Sequence, residues 1–260
     1  MINTQDWDSI AQTFKQNTGF HYQVIDNFWQ PDIAAQIATE FPGYSNNAVW
    51  NANYNNLIEY KKGCNIWDQF PTTIYCALNF LNSEPFVNTI STVTGCSDLY
   101  ADPGLHGAGL HCHGVGGYLN LHQDYHIHPK LQLKRKFNLI VYMTPNWDIK
   151  WGGALEFQNA DKTQVLTRID CLFNRAVIFD TTQDVWHGLP DPIACPETLA
   201  RTSLAVYYLT TPTPEELSGR RRALFTESDH QIGNVEVDQL IQQRSNEHLS
   251  TTIYNTHTND

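Results

Sequence analysis

Two histidines and an aspartate stand at a spacing that suits a metal ion. His122 and Asp124 lie two residues apart in Tyr118-Leu119-Asn120-Leu121-His122-Gln123-Asp124. On an extended strand, residues i and i+2 project to one face, so both side chains can reach the same ion. His187 follows far downstream, just after the apolar run Ala176-Val177-Ile178-Phe179, which reads as a buried strand that can bring a third ligand back across the fold. Two imidazoles and one carboxylate on one face of an iron-type ion leave open positions for a co-substrate and O2. A structural metal site would be closed. Arg201 opens the strand-like run Arg201-Thr202-Ser203-Leu204-Ala205-Val206-Tyr207-Tyr208-Leu209, and Ser203 shares its face. A guanidinium beside a hydroxyl makes a two-point clamp for a carboxylate.

The elements that must position these residues are legible as patterns. An N-terminal region, residues 1–98, reads as a support layer. It holds a short helix within the first 20 residues and a strand between His21 and Trp29. A helix follows from Pro31 through Ile33, Ala34, Ile37, Ala38 and Phe41, stopped by Pro42-Gly43. Tyr44 to Cys64 is polar and Asn-rich and reads as a long loop with at most one strand, placed to line a substrate entrance. Two more helices are expected near 70–81 and 85–93. From Leu99 to about Leu209 the pattern becomes short strands broken by Gly and Pro clusters such as Gly116-Gly117, Thr144-Pro145-Asn146 and Gly152-Gly153. Residues 99–212 therefore read as a sandwich or barrel core, and helices before strands give an α+β fold with helices bracing one sheet of a jelly roll. Residues 213–260 read as a polar, partly disordered tail on a single domain.

Composition narrows the function classes. The 260 residues carry a net charge of −11 and 41% hydrophobic residues, which describes a folded protein large enough for one good core. A nucleic-acid binder would present a basic surface, so nucleic acid is not expected as a partner. The one basic cluster, Lys130, Lys134, Arg135 and Lys136, reads as a solvated strand end. Six cysteines at 64, 76, 96, 112, 171 and 195 form neither a zinc ribbon nor a disulfide framework. Reduced thiols, no signal at the N-terminus and no long apolar run point to a cytoplasmic protein with no membrane partner. Oligomeric state leaves no trace in the sequence.

Together these motifs resemble the prolyl-4-hydroxylase-like branch of the Fe(II)/2-oxoglutarate-dependent oxygenases. The likeness runs through Gly116 to Asp124, Trp151-Gly152-Gly153-Ala154-Leu155-Glu156, Phe173 to Phe179, Trp186-His187-Gly188 and Arg201 to Tyr208, within residues 20–212. It implies a double-stranded β-helix (jelly-roll) core. It also implies oxidative decarboxylation of 2-oxoglutarate to succinate and CO2 coupled to hydroxylation of a C–H bond, with Fe(II), O2 and ascorbate as an accessory reductant. On the matching positions, His122, Asp124 and His187 would bind iron as the catalytic centre. Arg201 and Tyr142 would hold the distal carboxylate of 2-oxoglutarate, with Ser203 as a second donor. Asn138, on the strand face of Tyr142, would line the co-substrate pocket. Related prolyl hydroxylases often place a tyrosine on the strand before the His-x-Asp pair, where this chain has His111, Cys112 and His113. The stretch from His187 to Arg201 is also long, and Leu189 to Pro196 reads as a looped insertion.

The substrate implied is a prolyl residue or proline-like molecule, with another free amino acid or small metabolite as the alternative; the partner is thus a small molecule or a peptide. Two other classes remain open on the residues. One is a cupin-like dioxygenase that needs no 2-oxoglutarate and uses His111 and His113 with His187; it leaves Arg201 without a role. The other is a jelly-roll binding module without chemistry, against which the intact triad speaks. A halogenase would lack the carboxylate at position 124. His126 and His128 continue the parity of the ligand pair and could reach the metal or substrate, but a strand exit near solvent is the simpler placement. Trp147, Trp151 and Trp186 read as packing residues, the first two also as candidates for the rim of a substrate mouth.

Overall fold

A computed structural model describes residues 1–17 and 19–246. The described residues contain six α-helices: α1 Trp7–Gln16, α2 Pro31–Glu40, α3 Thr72–Leu81, α4 Glu84–Thr94, α5 Pro214–Ser218 and α6 Val235–Ser245. The strands are β1 Tyr22–Ile25, β2 Ala52–Asn56, β3 Glu59–Cys64, β4 Tyr100–Ala101, β5 Gly109–His113, β6 Tyr118–Gln123, β7 Lys134–Tyr142, β8 Leu155–Gln158, β9 Val165–Ile169, β10 Ala176–Asp180, β11 Trp186–Leu189, β12 Arg201–Thr210 and β13 Leu224–Phe225. All pair antiparallel; ten follow the order β1-β10-β7-β12-β5-β3-β6-β11-β8-β9, while β2 pairs with β3, β4 with β12 and β13 with β6. The path curls into two facing sheets. One is β10-β7-β12-β5, extended by β1; the other is β6-β11-β8-β9; β3 bridges them by pairing both β5 and β6. This alternation of consecutive strands between two sheets is the double-stranded β-helix of the expected α+β jelly roll.

Strand alternation sorts the side chains into two cores. On β12, Leu204, Val206 and Tyr208 join Leu139, Val141 and Ile178 in a cluster with Ile74, Leu78, Leu81, Phe86 and Ile90 of α3 and α4. The Tyr208 hydroxyl donates to Leu81 O at 3.0 Å and ties that strand to α3. The opposite face of the same strands looks into the roll. There Tyr142, Val177 and Phe179 pack with Leu155, Phe157 and Leu189 of the second sheet. The functional residues sit on this inner face, and the helices keep the outer face dry. Among the described residues no helix is long and apolar enough to cross a membrane.

Three expectations need correction. Tyr44 to Cys64 contains two strands: β2 and β3 form a hairpin from Ala52↔Gly63 to Asn56↔Glu59. Its Asn-rich first strand has low strand propensity and is held by pairing to its neighbour. Residues 214–246 are built into the structure: β13 pairs with β6, and α6 packs against β13. The disorder expected for the last residues falls, from 247 on, outside the described residues. The basic cluster is not a solvated strand end: only Lys130 is exposed, and Arg135 is 3% exposed. The pairing of β7 with β12 slips by one residue between Tyr208↔Phe137 and Leu209↔Arg135. Such a bulge reverses the side-chain parity beyond it, so Arg135 turns into the roll.

Candidate active site

The triad is assembled by cross-strand pairing. His122 on β6 lies directly opposite His187 on β11, their ring centroids 4.3 Å apart. Phe225 on β13 pairs with His122 from the other side and stacks on it at 5.3 Å, while Phe157 on β8 faces His187. A row of four rings therefore crosses the second sheet and fixes both imidazoles. The Asn120 carbonyl lies 3.0 Å from His122 Nδ1, which sets that nitrogen as the donor and leaves Nε2 as the free lone pair. Gly188 is required beside the ligand because a Cβ there would meet Leu119 O at 2.6 Å.

Asp124 follows the end of β6. Its Oδ1 lies 3.9 Å from His122 Nε2 and its Oδ2 lies 3.8 Å from His187 Nε2. Among the described residues, these three form the single group of His, Cys, Asp and Glu side chains able to share a metal ion, with ligand atoms within 4.8 Å of one another. Burial, aided by the neighbouring His187, pushes His122 down to about 3, and burial lowers His187 too, so both imidazoles are neutral. Burial alone would raise Asp124; Arg135, His187 and His122 outweigh it and bring the carboxyl below its ordinary value. Asp124 Oδ2 is buried without a hydrogen-bond partner. An orphaned carboxylate oxygen between two neutral imidazoles is a donor set that fits a divalent iron-type ion with positions to spare.

A cleft of about 160 Å³, partly open to solvent, runs from the triad into the roll. Arg201, 3% exposed, stands at its inner end with Ser203 and Asn138 on its wall. The Arg201 Nε donates to Gly153 O at 2.7 Å, and the guanidinium carbon lies 4.7 Å from the Tyr142 ring centroid. Gly153 adopts φ 79°, and a Cβ there would press on Arg201 Cδ at 2.9 Å, which gives the Gly152-Gly153 motif a physical reason. Several buried polar atoms around this end lack partners: the Tyr142 hydroxyl, both ring nitrogens of His113, and Asn138 Oδ1. Burial pushes the Tyr142 phenol up to about 12, so it is a neutral donor. Burial, with Arg201 as neighbour, drives His113 well down, so it is neutral too. A cation beside an unsatisfied phenol and an unsatisfied neutral imidazole, each with one proton to donate, is what a buried carboxylate needs.

The remaining sequence candidates separate clearly. His111 and His113 line the cleft but do not join the triad, which removes the ligand set of the cupin-like alternative. His128 is 2% exposed, not at solvent: its Nδ1 accepts from Leu131 N at 3.0 Å and its Nε2 lies 3.4 Å from Asp102 Oδ2. His126 is half-buried and outside the cleft lining. Trp147 and Trp151 pack edge to face at 5.2 Å, away from the cleft. Trp186 donates to Ala160 O at 3.0 Å. Sequence reasoning missed Lys61, Arg135, Tyr207, Phe225 and Arg244, all on the cleft wall. For Lys61 a signal existed, its shared parity with Glu59 and Gly63; for Arg135 the bulge erased one.

Residues 108–209 match the family described as the 2OG-Fe(II) oxygenase superfamily. This oxygenase-domain match, together with the His122, Asp124 and His187 group, supports a non-haem iron dioxygenase of the class that uses Fe(II), 2-oxoglutarate and O2. Its fold is prolyl-4-hydroxylase-like. A Pseudomonas putida prolyl-4-hydroxylase structure is 14% identical with a TM-score of 0.56, covering 78% of this chain and 99% of the other. A prolyl 4-hydroxylase from Phytophthora capsici is 17% identical with a TM-score of 0.55, covering 84% and 74%. No curated protein matches the chain.

Proposed function

We propose that His122, Asp124 and His187 hold Fe(II) and that Arg201, Tyr142 and Ser203 anchor 2-oxoglutarate, in an enzyme that hydroxylates an unactivated C–H bond of a prolyl or proline-like substrate. One observation carries the reading: the orphaned Asp124 Oδ2, facing His187 across 3.8 Å, opens onto a cleft whose inner end is a buried arginine beside the unsatisfied Tyr142 hydroxyl and His113 ring. Bound there, iron would couple decarboxylation of 2-oxoglutarate by O2, with release of succinate and CO2, to substrate hydroxylation.

The chain's own residues orient and exclude. Arg201 supplies the charge for the distal carboxylate, and its bond to Gly153 O holds the guanidinium in one rotamer. Tyr142 and Ser203 supply neutral donors beside it, and Asn138 borders the middle of the co-substrate. The aromatic row through Phe225 and Phe157 keeps water from the rear of the imidazoles. No side-chain base is needed. The proline-like substrate rests on the likeness of fold to the two prolyl 4-hydroxylases. Residues 99–212 act in this reading as the oxygenase core on a support of residues 1–98. The free state of all six cysteines suits a cytoplasmic setting.

The test is spectroscopic. Metal-free protein given Fe(II) and 2-oxoglutarate without oxygen should develop a weak visible charge-transfer band, absent in His122→Ala. Bound iron with no band in the wild type would refute keto-acid chelation at this triad.

A further inference from the structure

The cleft carries more positive charge than the proposed reaction parts consume. Its charged lining is Glu59, Lys61, Asp124, Arg135, Arg201 and Arg244, four cations against two carboxylates, in a chain of net charge −11. Arg135 is matched to Asp124 at 3.3 Å, and Arg244 is ion-paired to Glu59 in a pair that is 3–4% exposed. Arg201 belongs to 2-oxoglutarate in the reading above. Lys61 is left. Its nearest carboxylate oxygen is Glu59 Oε2 at 3.5 Å, too long for a good charge-assisted bond and on a side chain already shared with Arg244.

Lys61 is placed for a ligand. It sits on β3 in cross-strand register with the β5 residues that line the cleft, since Lys62 pairs with Cys112 and Gly63 with His111. Its side chain is 15% exposed, and its ammonium lies 5.0 Å from the Tyr54 ring centroid. Burial draws that ammonium down to about 8; Asp124 pulls it back up, and Arg135 and Arg201 depress it further. Those neighbours belong to both halves of the cleft, so the charge stands between the triad and the co-substrate end. A desolvated, under-paired cation is costly unless an anion arrives. Iron would add two positive charges and 2-oxoglutarate two negative ones, so the excess persists in the loaded site.

We propose that the substrate carries a carboxylate, held within the cleft by the Lys61 ammonium, with the reacting carbon directed toward the triad. The inference rests on the oxygenase reading. The rings of Tyr54, Tyr125 and Phe225 line the same space and suit the apolar body of a small acid. The C-terminal segment supplies part of the cleft wall through Ala223, Phe225 of β13 and Arg244 of α6. A free amino or imino acid and a peptide ending in a free carboxylate offer the same group.

Protein loaded anaerobically with Fe(II) and saturating 2-oxoglutarate should be titrated calorimetrically with acid and amide pairs. Suitable pairs are L-proline and L-prolinamide, L-pipecolate and its amide, benzoate and benzamide, and a Gly-Gly-Pro peptide with a free or amidated C-terminus. At least one acid should bind about tenfold or more tighter than its amide, the worth of one charge-assisted bond. Lys61→Met should erase that preference and Lys61→Arg restore part of it. Preference for the free small acids or for the peptide acid tells the two sources apart. Acids binding no better than amides, no acid binding, or a preference unchanged in Lys61→Met overturns the proposal. So does loss of 2-oxoglutarate binding in Lys61→Met, which would assign the lysine to the co-substrate. Absence of the keto-acid band in the wild type would instead sink the underlying oxygenase reading.

Discussion

At the scale of single residues, the metal-binding competence of Asp124 depends on how its other oxygen is occupied. Arg135 Nη1 lies 3.3 Å from Asp124 Oδ1, and the Tyr207 hydroxyl donates to the same oxygen at 3.4 Å. The guanidinium itself is clasped between Tyr125 and Tyr207, its carbon 3.6 Å from each ring centroid. Cation–π contact on both faces, in a dry site, holds the arginine in one place. One carboxylate oxygen is therefore spoken for and the other is presented to the ion. Arg135→Met should weaken Fe(II) binding about 10- to 100-fold, the usual cost of losing a group that orients a ligand. It should also destabilise the protein by about 3–5 kcal/mol by orphaning a buried carboxylate. Tyr207→Phe keeps the clasp and removes one long hydrogen bond, so it should cost less than about tenfold. Anaerobic iron titration and thermal melts check the ranking; equal binding by wild type and Arg135→Met would mean the arginine does not set the ligand geometry.

At the scale of elements, legibility followed the kind of force that holds each one. The His-x-Asp strand, the helices α2, α3 and α4, and β12 are held by apolar periodicity, and all were readable. Spacing offered the triad and Arg201 as candidates, because extended parity places 122 with 124 and 201 with 203, while His187 came from the apolar run before it. Elements held by long-range polar contacts were not readable. Gln231 reaches Asn120 Nδ2 at 2.6 Å and Leu57 O at 2.6 Å, and Arg221 reaches the Asp124 carbonyl at 2.9 Å and Gln123 Oε1 at 2.9 Å. None of these bonds has a period in the sequence, so residues 213–246 read as a tail. Neither apolar cluster contains a buried residue beyond Leu209. Truncation after Gly219 should therefore leave a cooperatively folding protein with a lowered Tm. It should weaken iron binding several-fold, because His122 loses the Phe225 ring and β6 becomes a more open edge. Circular dichroism melts paired with iron titration decide this. A truncated chain that fails to fold would place the C-terminal segment in the folding core, whereas unchanged iron affinity would make its cover over His122 irrelevant to the site.

At the scale of the whole molecule, the net charge of −11 and the cationic cleft pull a dianionic co-substrate in opposite directions. Distance decides which dominates at each stage. At about 10 mM ionic strength the Debye length is roughly 30 Å, so an approaching 2-oxoglutarate senses the summed charge of the protein, which repels it. At about 150 mM the length falls to roughly 8 Å, and the surface carboxylates are largely screened before the anion reaches the mouth. Arg201, Lys61 and Arg135 stand inside a narrow, poorly solvated cleft where salt screens little, so their attraction survives. Raising ionic strength across this range should then speed 2-oxoglutarate association a few-fold while leaving dissociation nearly constant. That is the reverse of the usual salt response for an anion entering a basic site. Stopped-flow growth of the keto-acid band on iron-loaded protein measures both rates. A fall in the association rate with salt would show that the cleft's own field extends beyond its mouth and overrides the acidic surface.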